Sequence, residues 1–134
     1  TPLIFSMTLR ENLMYGNKNF KSDEEILEMI QKFYLFEDKV EVDLDMMVNN
    51  KSLSSGQMQK IAFMRVLLSD ADVLFLDEST SNLDEETKSL VFDLLLNTNL
   101  TIVNSTHDID SFKNFTHHYK VELSGGKRLL KKIL

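Results

Sequence analysis

Asp77 and Glu78 are adjacent carboxylates that close the apolar run Val73-Leu74-Phe75-Leu76. In open parallel sheets ligands bind beyond the C-terminal ends of the strands, and two carboxylates side by side repel unless a cation or phosphate chemistry uses them. Asp77, at the strand end, suits Mg²⁺ held directly or through water. Glu78, one residue on, suits a base that polarises a water for attack on a terminal phosphate. The same pair serves equally as two solvated carboxylates in an ordinary strand-to-helix turn.

Three further groups are open in the same way. Leu53-Ser54-Ser55-Gly56-Gln57 stands where an irregular stretch becomes a helix. A helix start offers unpaired N–H groups and a positive dipole end, and small residues there let a phosphate reach the backbone. Ser54 and Gln57 also have the spacing of a capping box, which needs no ligand. Ser81-Asn82-Leu83-Asp84 reads as an Asx-type turn and helix cap. His107 follows a second short apolar run, where a lone His is commonly structural. His117 and His118 read as surface residues, because no nearby carboxylate or Cys has metal-ligand spacing.

The elements that must position these groups fall into two halves. From Thr8 to about Leu68 the pattern reads as helical. Thr8-Leu9-Arg10-Glu11 has the capping-box form, with Leu9, Leu13 and Met14 on one side and Gly16-Asn17 as the stop. Ser22-Asp23-Glu24-Glu25 repeats the form, and Ile26, Leu27, Ile30, Phe33 and Tyr34 predict a helix to about Leu35. Residues 36–52 lack a period and read as loop, and a helix is expected over 55–68. From Asp72 onward short apolar strands alternate with helices. The run 73–76 reads as a strand buried on both faces, Asp84 as the cap of a helix carrying Leu90, Val91, Leu94 and Leu95, and Thr101-Ile102-Val103 as the next strand. Strand, helix and strand in that order imply a right-handed crossover and a parallel sheet. Tyr119 to Leu123, Gly125-Gly126 and Arg128 to Ile133 read as a closing hairpin, or the last stretch as a terminal helix. Met46, Met47, Met58 and Met64 read as gap-filling core.

Composition bounds the function classes. The chain has 134 residues, 43% hydrophobic and 27% charged, with four Gly and one Pro, which excludes collagen-like and low-complexity classes. Lys plus Arg is 15 against 21 for Asp plus Glu, a net charge of −6, and this acidic balance argues against a sequence-independent grip on nucleic acid. The basic cluster Lys127, Arg128, Lys131 and Lys132 reads as a solvated face. No Cys is present, so no disulfide framework is possible. No apolar run approaches the roughly 18 residues of a spanning helix.

One helix and one strand separate Ser54 from Asp77, and another helix and strand separate Asp77 from His107. In that order the motifs resemble the nucleotide-binding domain of exporter-type ABC transporters. Leu53 to Gln57 is similar to the L-S-G-G-Q signature with Ser55 for one Gly, and Gln59-Lys60-Ile61-Ala62 through Arg65 continues its helix. Val73 to Glu78 resembles the Walker B strand with its catalytic Glu, Ser81 to Asp84 the D-loop, and His107 the switch histidine. Pro2-Leu3-Ile4-Phe5 and Thr8 to Leu13 resemble the segment after the Q-loop.

The resemblance implies an α/β fold: a helical subdomain, residues 1–68, ending in the signature helix, followed over 69–134 by part of a P-loop-NTPase-type parallel sheet with flanking helices. It implies ATP and Mg²⁺ as cofactors, with Asp77 acting through the metal, Glu78 as base and His107 holding the terminal phosphate and water in line. Ser54, Ser55, Gly56 and Gln57 would meet ATP carried by a second nucleotide-binding domain in a head-to-tail dimer, and Asp84 would communicate across that interface. A transmembrane domain is the implied further partner and the cytoplasmic face of a membrane the implied place. The P-loop pattern G-x-x-x-x-G-K-[ST] does not occur, since Gly125-Gly126-Lys127 lacks the upstream Gly and the following hydroxyl. With Thr1 as first residue, the expectation is the second half of such a domain, cut at the Q-loop, inactive alone and partnered by the P-loop half. Asp45 to Lys51 departs from the loop exporters carry ahead of the signature. A non-catalytic partner module and a piece of a soluble ABC ATPase are the alternatives, against which the Thr8 to Leu13 segment favours a transporter.

Overall fold

Each helix begins where a side chain supplies the hydrogen bonds that a helix end lacks. The computed structural model describes residues 2–36, 41–80, 83–107 and 114–134. Helix α1 (Leu9–Leu13) starts from Thr8, whose Oγ1 accepts the Glu11 N–H at 3.1 Å while the Glu11 carboxylate accepts the Thr8 N–H at 2.8 Å. Ser22 and Glu25 repeat this reciprocal pair at α2 (Asp23–Lys32), and Ser54 and Gln57 at α3 (Ser55–Leu68). Asp84 caps α4 (Glu85–Leu96) by accepting the Thr87 N–H at 2.8 Å. Such caps are each worth about 1 kcal/mol.

Helix α2 ends three residues earlier than its apolar spacing predicts. Phe33 forms the cap, Tyr34 turns into the left-handed region at φ 46°, and the Leu35 N–H donates to the Ile30 carbonyl at 3.1 Å. Phe33 and Leu35 are fully buried all the same, so the periodicity reported burial beyond the point where the helix stops.

The stretch 36–52 is not all loop. Strand β2 (Met47–Val48) pairs antiparallel with β1 (Met7–Thr8), Met7 opposite Val48. Two residues are too short to show a period, and Val48 is held because its side chain is fully buried. Of the methionines, Met58 and Met64 are core, whereas Met46 and Met47 are exposed.

Strand β3 (Val73–Asp77) runs parallel to β4 (Thr101–Ser105), Val73 opposite Thr101 and Asp77 opposite Ser105, with α4 between them in sequence. Strand β3 is not buried on both faces. Leu74 and Leu76 enter the core, while Val73 and Phe75 are 46% and 75% exposed. Side chains alternate across a strand, and among the described residues helices cover only one face of this one. Residues 119–134 form a hairpin, β5 (Tyr119–Ser124) against β6 (Lys127–Lys132), rather than a terminal helix. Gly125 and Gly126 at φ 58° and 75° supply the turn that such a tight hairpin needs.

A single apolar cluster runs from Ile4 through Leu9, Phe33, Ile61 and Met64 to Leu76 and Leu95, crossing residue 68 without a break. The N-terminal segment is tied to α3 by polar contacts. Arg65 donates to the Leu3 and Asn12 carbonyls and, at 2.9 Å, to Asn12 Oδ1, while Asn12, fully buried, donates to the Phe5 and Thr8 carbonyls. Burial pulls the Arg65 guanidinium below its ordinary pKa.

Candidate functional site

The singled-out residues gather in two places. The first is the start of α3. Ser54 Oγ accepts the Gln57 N–H at 3.1 Å, Gln57 Oε1 accepts the Ser54 N–H at 2.9 Å, and Gln57 Nε2 donates to the Leu35 carbonyl at 3.1 Å. Lys60, one turn on, donates to the Tyr34 carbonyl at 3.0 Å. Together these bonds fix the turn after α2 against the α3 start. A cleft of about 730 Å³ opens there, lined by Tyr34, Ser54, Gly56, Lys60, Asp84 and Thr87 among others.

Gly56 is informative because nothing among the described residues demands it. A Cβ built on it would meet only Ser54 Oγ, at 4.0 Å, and its φ is not positive. Neither packing nor backbone conformation calls for a glycine, so the open backbone fits close approach by something outside the chain. Capping uses the Gln57 N–H, and helix starts with free earlier amides are places where anions bind. Asp84 holds its carboxyl below the usual carboxylate range, first through the Thr87 backbone N–H, then through the Thr87 hydroxyl at 2.9 Å, with Lys60 adding a smaller pull. Ser55 is exposed beside the cleft. Ser81 and Asn82, the other D-loop residues of the sequence reading, lie outside the described residues.

The second place is beyond the ends of β3 and β4. The Glu78 N–H donates to the Ser105 carbonyl at 2.9 Å, which carries the parallel ladder one step past Asp77. Glu78 is the first residue past β3 and His107 the second past β4, and His107 Nε2 lies 2.8 Å from Glu78 Oε1. Both side chains face solvent, at 95% and 53% exposure. Glu78 occupies the left-handed region at φ 46°, a strained position for a residue with a Cβ. Its neighbour Asp77 donates its N–H to Ser79 Oγ at 3.1 Å and exposes its carboxylate. Among the described residues no three His, Cys, Asp or Glu side chains converge on one point. A single exposed carboxylate such as that of Asp77 is the kind of ligand Mg²⁺ takes, the rest of its shell being water and phosphate.

The fold therefore joins Asp77, Glu78 and His107, and separately joins Ser54, Gly56, Gln57 and Asp84. None of the first group lines the cleft of the second. His117 and His118 stand apart from both, His117 beside the Thr116 hydroxyl and His118 edge-on to Phe115. The bonds from Gln59 to Ser79, from Lys60 to Tyr34 and from Arg65 to Asn12 escape a reading by spacing, because each joins residues distant in sequence. A polar Gln among the apolar positions of α3 is the one signal that marks Gln59 beforehand.

A parallel strand-helix-strand unit with acids beyond its strand ends, entered through a helical region, is an α/β fold of the P-loop-NTPase type. The fold matches the solved structure of a bacterial Atm1-family ABC exporter with ATP bound, at a TM-score of 0.66 and 23% identity, over 79% of this chain and 19% of that one. The family profile described as ABC transporter matches residues 2–81. Mating factor M secretion protein mam1 of Schizosaccharomyces pombe is 42% identical over 122 residues, 84% of this chain and 9% of the relative. The ATP-dependent lipid A-core flippase of Idiomarina loihiensis is 38% identical over 117 residues, 83% of this chain and 20% of the relative. The transport/processing ATP-binding protein ComA of Streptococcus pneumoniae is 36% identical over 110 residues, 79% of this chain and 15% of the relative. The chain belongs to the ABC transporter family, as part of an ATP-binding domain. It spans between 9% and 20% of the length of these curated relatives.

Proposed function

We propose that this segment works within an ATPase that drives export across a membrane, and that it contributes half of each of two ATP sites. The observation that carries this is the separation of the two groups: none of Asp77, Glu78 and His107 lines the α3 cleft. Each becomes complete when two nucleotide-binding domains meet head to tail, the α3 start of one facing ATP held by the other. Residues 1–68 act as the helical subdomain toward the transmembrane domain, and residues 69–134 as the second half of the ATPase core. No helix among the described residues is long and apolar enough to cross a membrane.

Within this reading Ser54, Ser55, Gly56 and Gln57 present the α3 start to the terminal phosphate, and Asp84 faces the partner domain beside them. Asp77 would hold Mg²⁺ through its exposed carboxylate, the chemistry supplied there being neutralisation of phosphate charge. Glu78 takes the proton of the attacking water, and His107 orients the Glu78 carboxylate while its ring remains open to the phosphate. The exposed face of β3, with Phe75 at 75%, suits cover by the P-loop-bearing half of the domain, which supplies the lysine and backbone cradle for the β-phosphate. The chain by itself is accordingly inactive toward ATP.

The test is Glu78→Gln in a full-length protein that carries this segment. Steady-state phosphate release is expected to fall by about 10²–10⁴-fold while ATP binding persists. Turnover equal to the parent removes Glu78 from the base role. The 134-residue chain alone, assayed beside it, is expected to release phosphate at the background rate. Release well above background overturns the split-site reading.

A further inference from the structure

Gln59 is buried in α3, 5% exposed, and its bonding is incomplete. Its Nε2 donates to the Ser79 carbonyl at 2.9 Å, while its Oε1 has no partner among the described residues. A buried amide oxygen without a donor costs about 1–3 kcal/mol, so a role in packing alone is better filled by Leu or Met. What the glutamine supplies and an apolar residue cannot is the bond to Ser79.

That bond lands on the residue next to Glu78. Glu78 has left-handed backbone, a conformation that relaxes unless its flanks are held. On one side it is held by β4, through its own N–H on the Ser105 carbonyl. On the other, Ser79 Oγ accepts the Asp77 N–H, and the Ser79 carbonyl is held by Gln59. The hydroxyl belongs to the turn itself, so among the described residues the Gln59 amide is what fastens this turn to a helix. Gln59 stands in the opening turns of α3, close along the helix to Ser54 and Gly56, which line the cleft.

We propose that Gln59 is a positioning residue that links the two groups of the site, carrying displacement of the α3 start to the backbone that aims Glu78. The link rests on the ATPase reading above. In that reading the phosphate met by α3 belongs to the partner domain, whereas Glu78 serves the nucleotide of its own domain. Closure of α3 onto one ATP then sets the base at the other. The bond is single and neutral, so it permits the turn to slacken when α3 withdraws, and the base stays out of register until both domains have closed.

The experiment uses the full-length protein that carries this segment, with Gln59→Leu and Gln59→Met, which keep about the volume and delete the amide. Expected are a kcat for ATP lower by about tenfold, a KM within about threefold of the parent, and a Hill coefficient for ATP that falls toward one. The melting midpoint is expected to hold or rise, because the orphaned oxygen is gone. A merely structural role predicts the opposite pattern, a lower midpoint with unchanged kcat per folded molecule. In a Glu78→Gln background, adding Gln59→Leu is expected to change the residual rate by less than about twofold, since a residue acting through Glu78 has nothing left to position. A folded Leu or Met variant with parental kcat and Hill coefficient, or losses that simply multiply with those of Glu78→Gln, overturns the link. Full turnover in Glu78→Gln itself overturns the ATPase reading instead, which keeps the two failures distinct.

Discussion

Around the first turn of α3, Ser54, Gln57 and Lys60 are all engaged by neighbouring atoms, whereas the turn after β3 leaves its carboxylates in solvent with the Glu78 side chain met by His107. The first arrangement is pre-organised. Its capping bonds would be made whether or not a nucleotide is present, so presenting the helix start to a phosphate costs little reorganisation. The second is strained and lightly held, with Glu78 in left-handed backbone between one strand bond and the Gln59 amide. In the proposed ATPase, a binding surface would gain from being finished in advance, while a base that acts only after closure would gain from a position that depends on its neighbours.

The comparison can be broken at either end. Glu78→Gln carries the largest expected effect, the loss of about 10²–10⁴-fold in turnover that follows from removing a general base. The Gln59 variants come next, with about a tenfold loss of kcat if the turn is set from α3. Gly56→Ala sharpens the other end. Its new methyl meets only Ser54 Oγ at 4.0 Å. Stability of the folded chain is therefore expected to stay level or rise by up to about 1 kcal/mol, the gain from replacing a helical glycine. ATPase activity of the full-length protein should fall, because the methyl occupies the approach to the backbone. Denaturant melts beside phosphate release check this, and a joint loss of stability and activity would make Gly56 a packing residue.

The smallest effect concerns pH. Bonds from the Thr87 backbone and hydroxyl hold the Asp84 carboxyl below the usual carboxylate range, so the fold favours its ionised form. Its contribution to the α4 cap is fully present above the ordinary carboxylate pKa and is lost as pH falls through the depressed one. The melting midpoints of the parent and Asp84→Asn should thus differ at neutral pH and converge in acid. A gap that widens on acidification contradicts the assignment.

Local chemistry was readable where a few adjacent residues decide it. The three reciprocal caps at Thr8, Ser22 and Ser54 and the Asp84 cap fall where the sequence puts them, since a capping box is complete within four residues. The Gly125-Gly126 turn is local in the same sense. Burial was readable only as periodicity, and it misled twice. Phe33 and Leu35 are core although α2 has already stopped, and the apolar run of β3 is covered on one face rather than two. The β1–β2 pair could not be read at all, because its partners stand some forty residues apart and neither shows a pattern of its own.

The sequence by itself determined which groups are on hand and in what order: a helix start with an open glycine, a strand ending in two acids, a histidine one strand later. It could do so because caps, strand ends and turns are short-range chemistry. Only the tertiary structure decided that His107 lies against Glu78, that the α3 cleft includes Asp84 while excluding the acids, and that Gln59 spans from α3 to the turn carrying Glu78. Those contacts depend on the parallel register of β3 with β4 and on α3 packing into the common core, and both are settled by burial summed over the whole chain rather than by any neighbouring pair of residues.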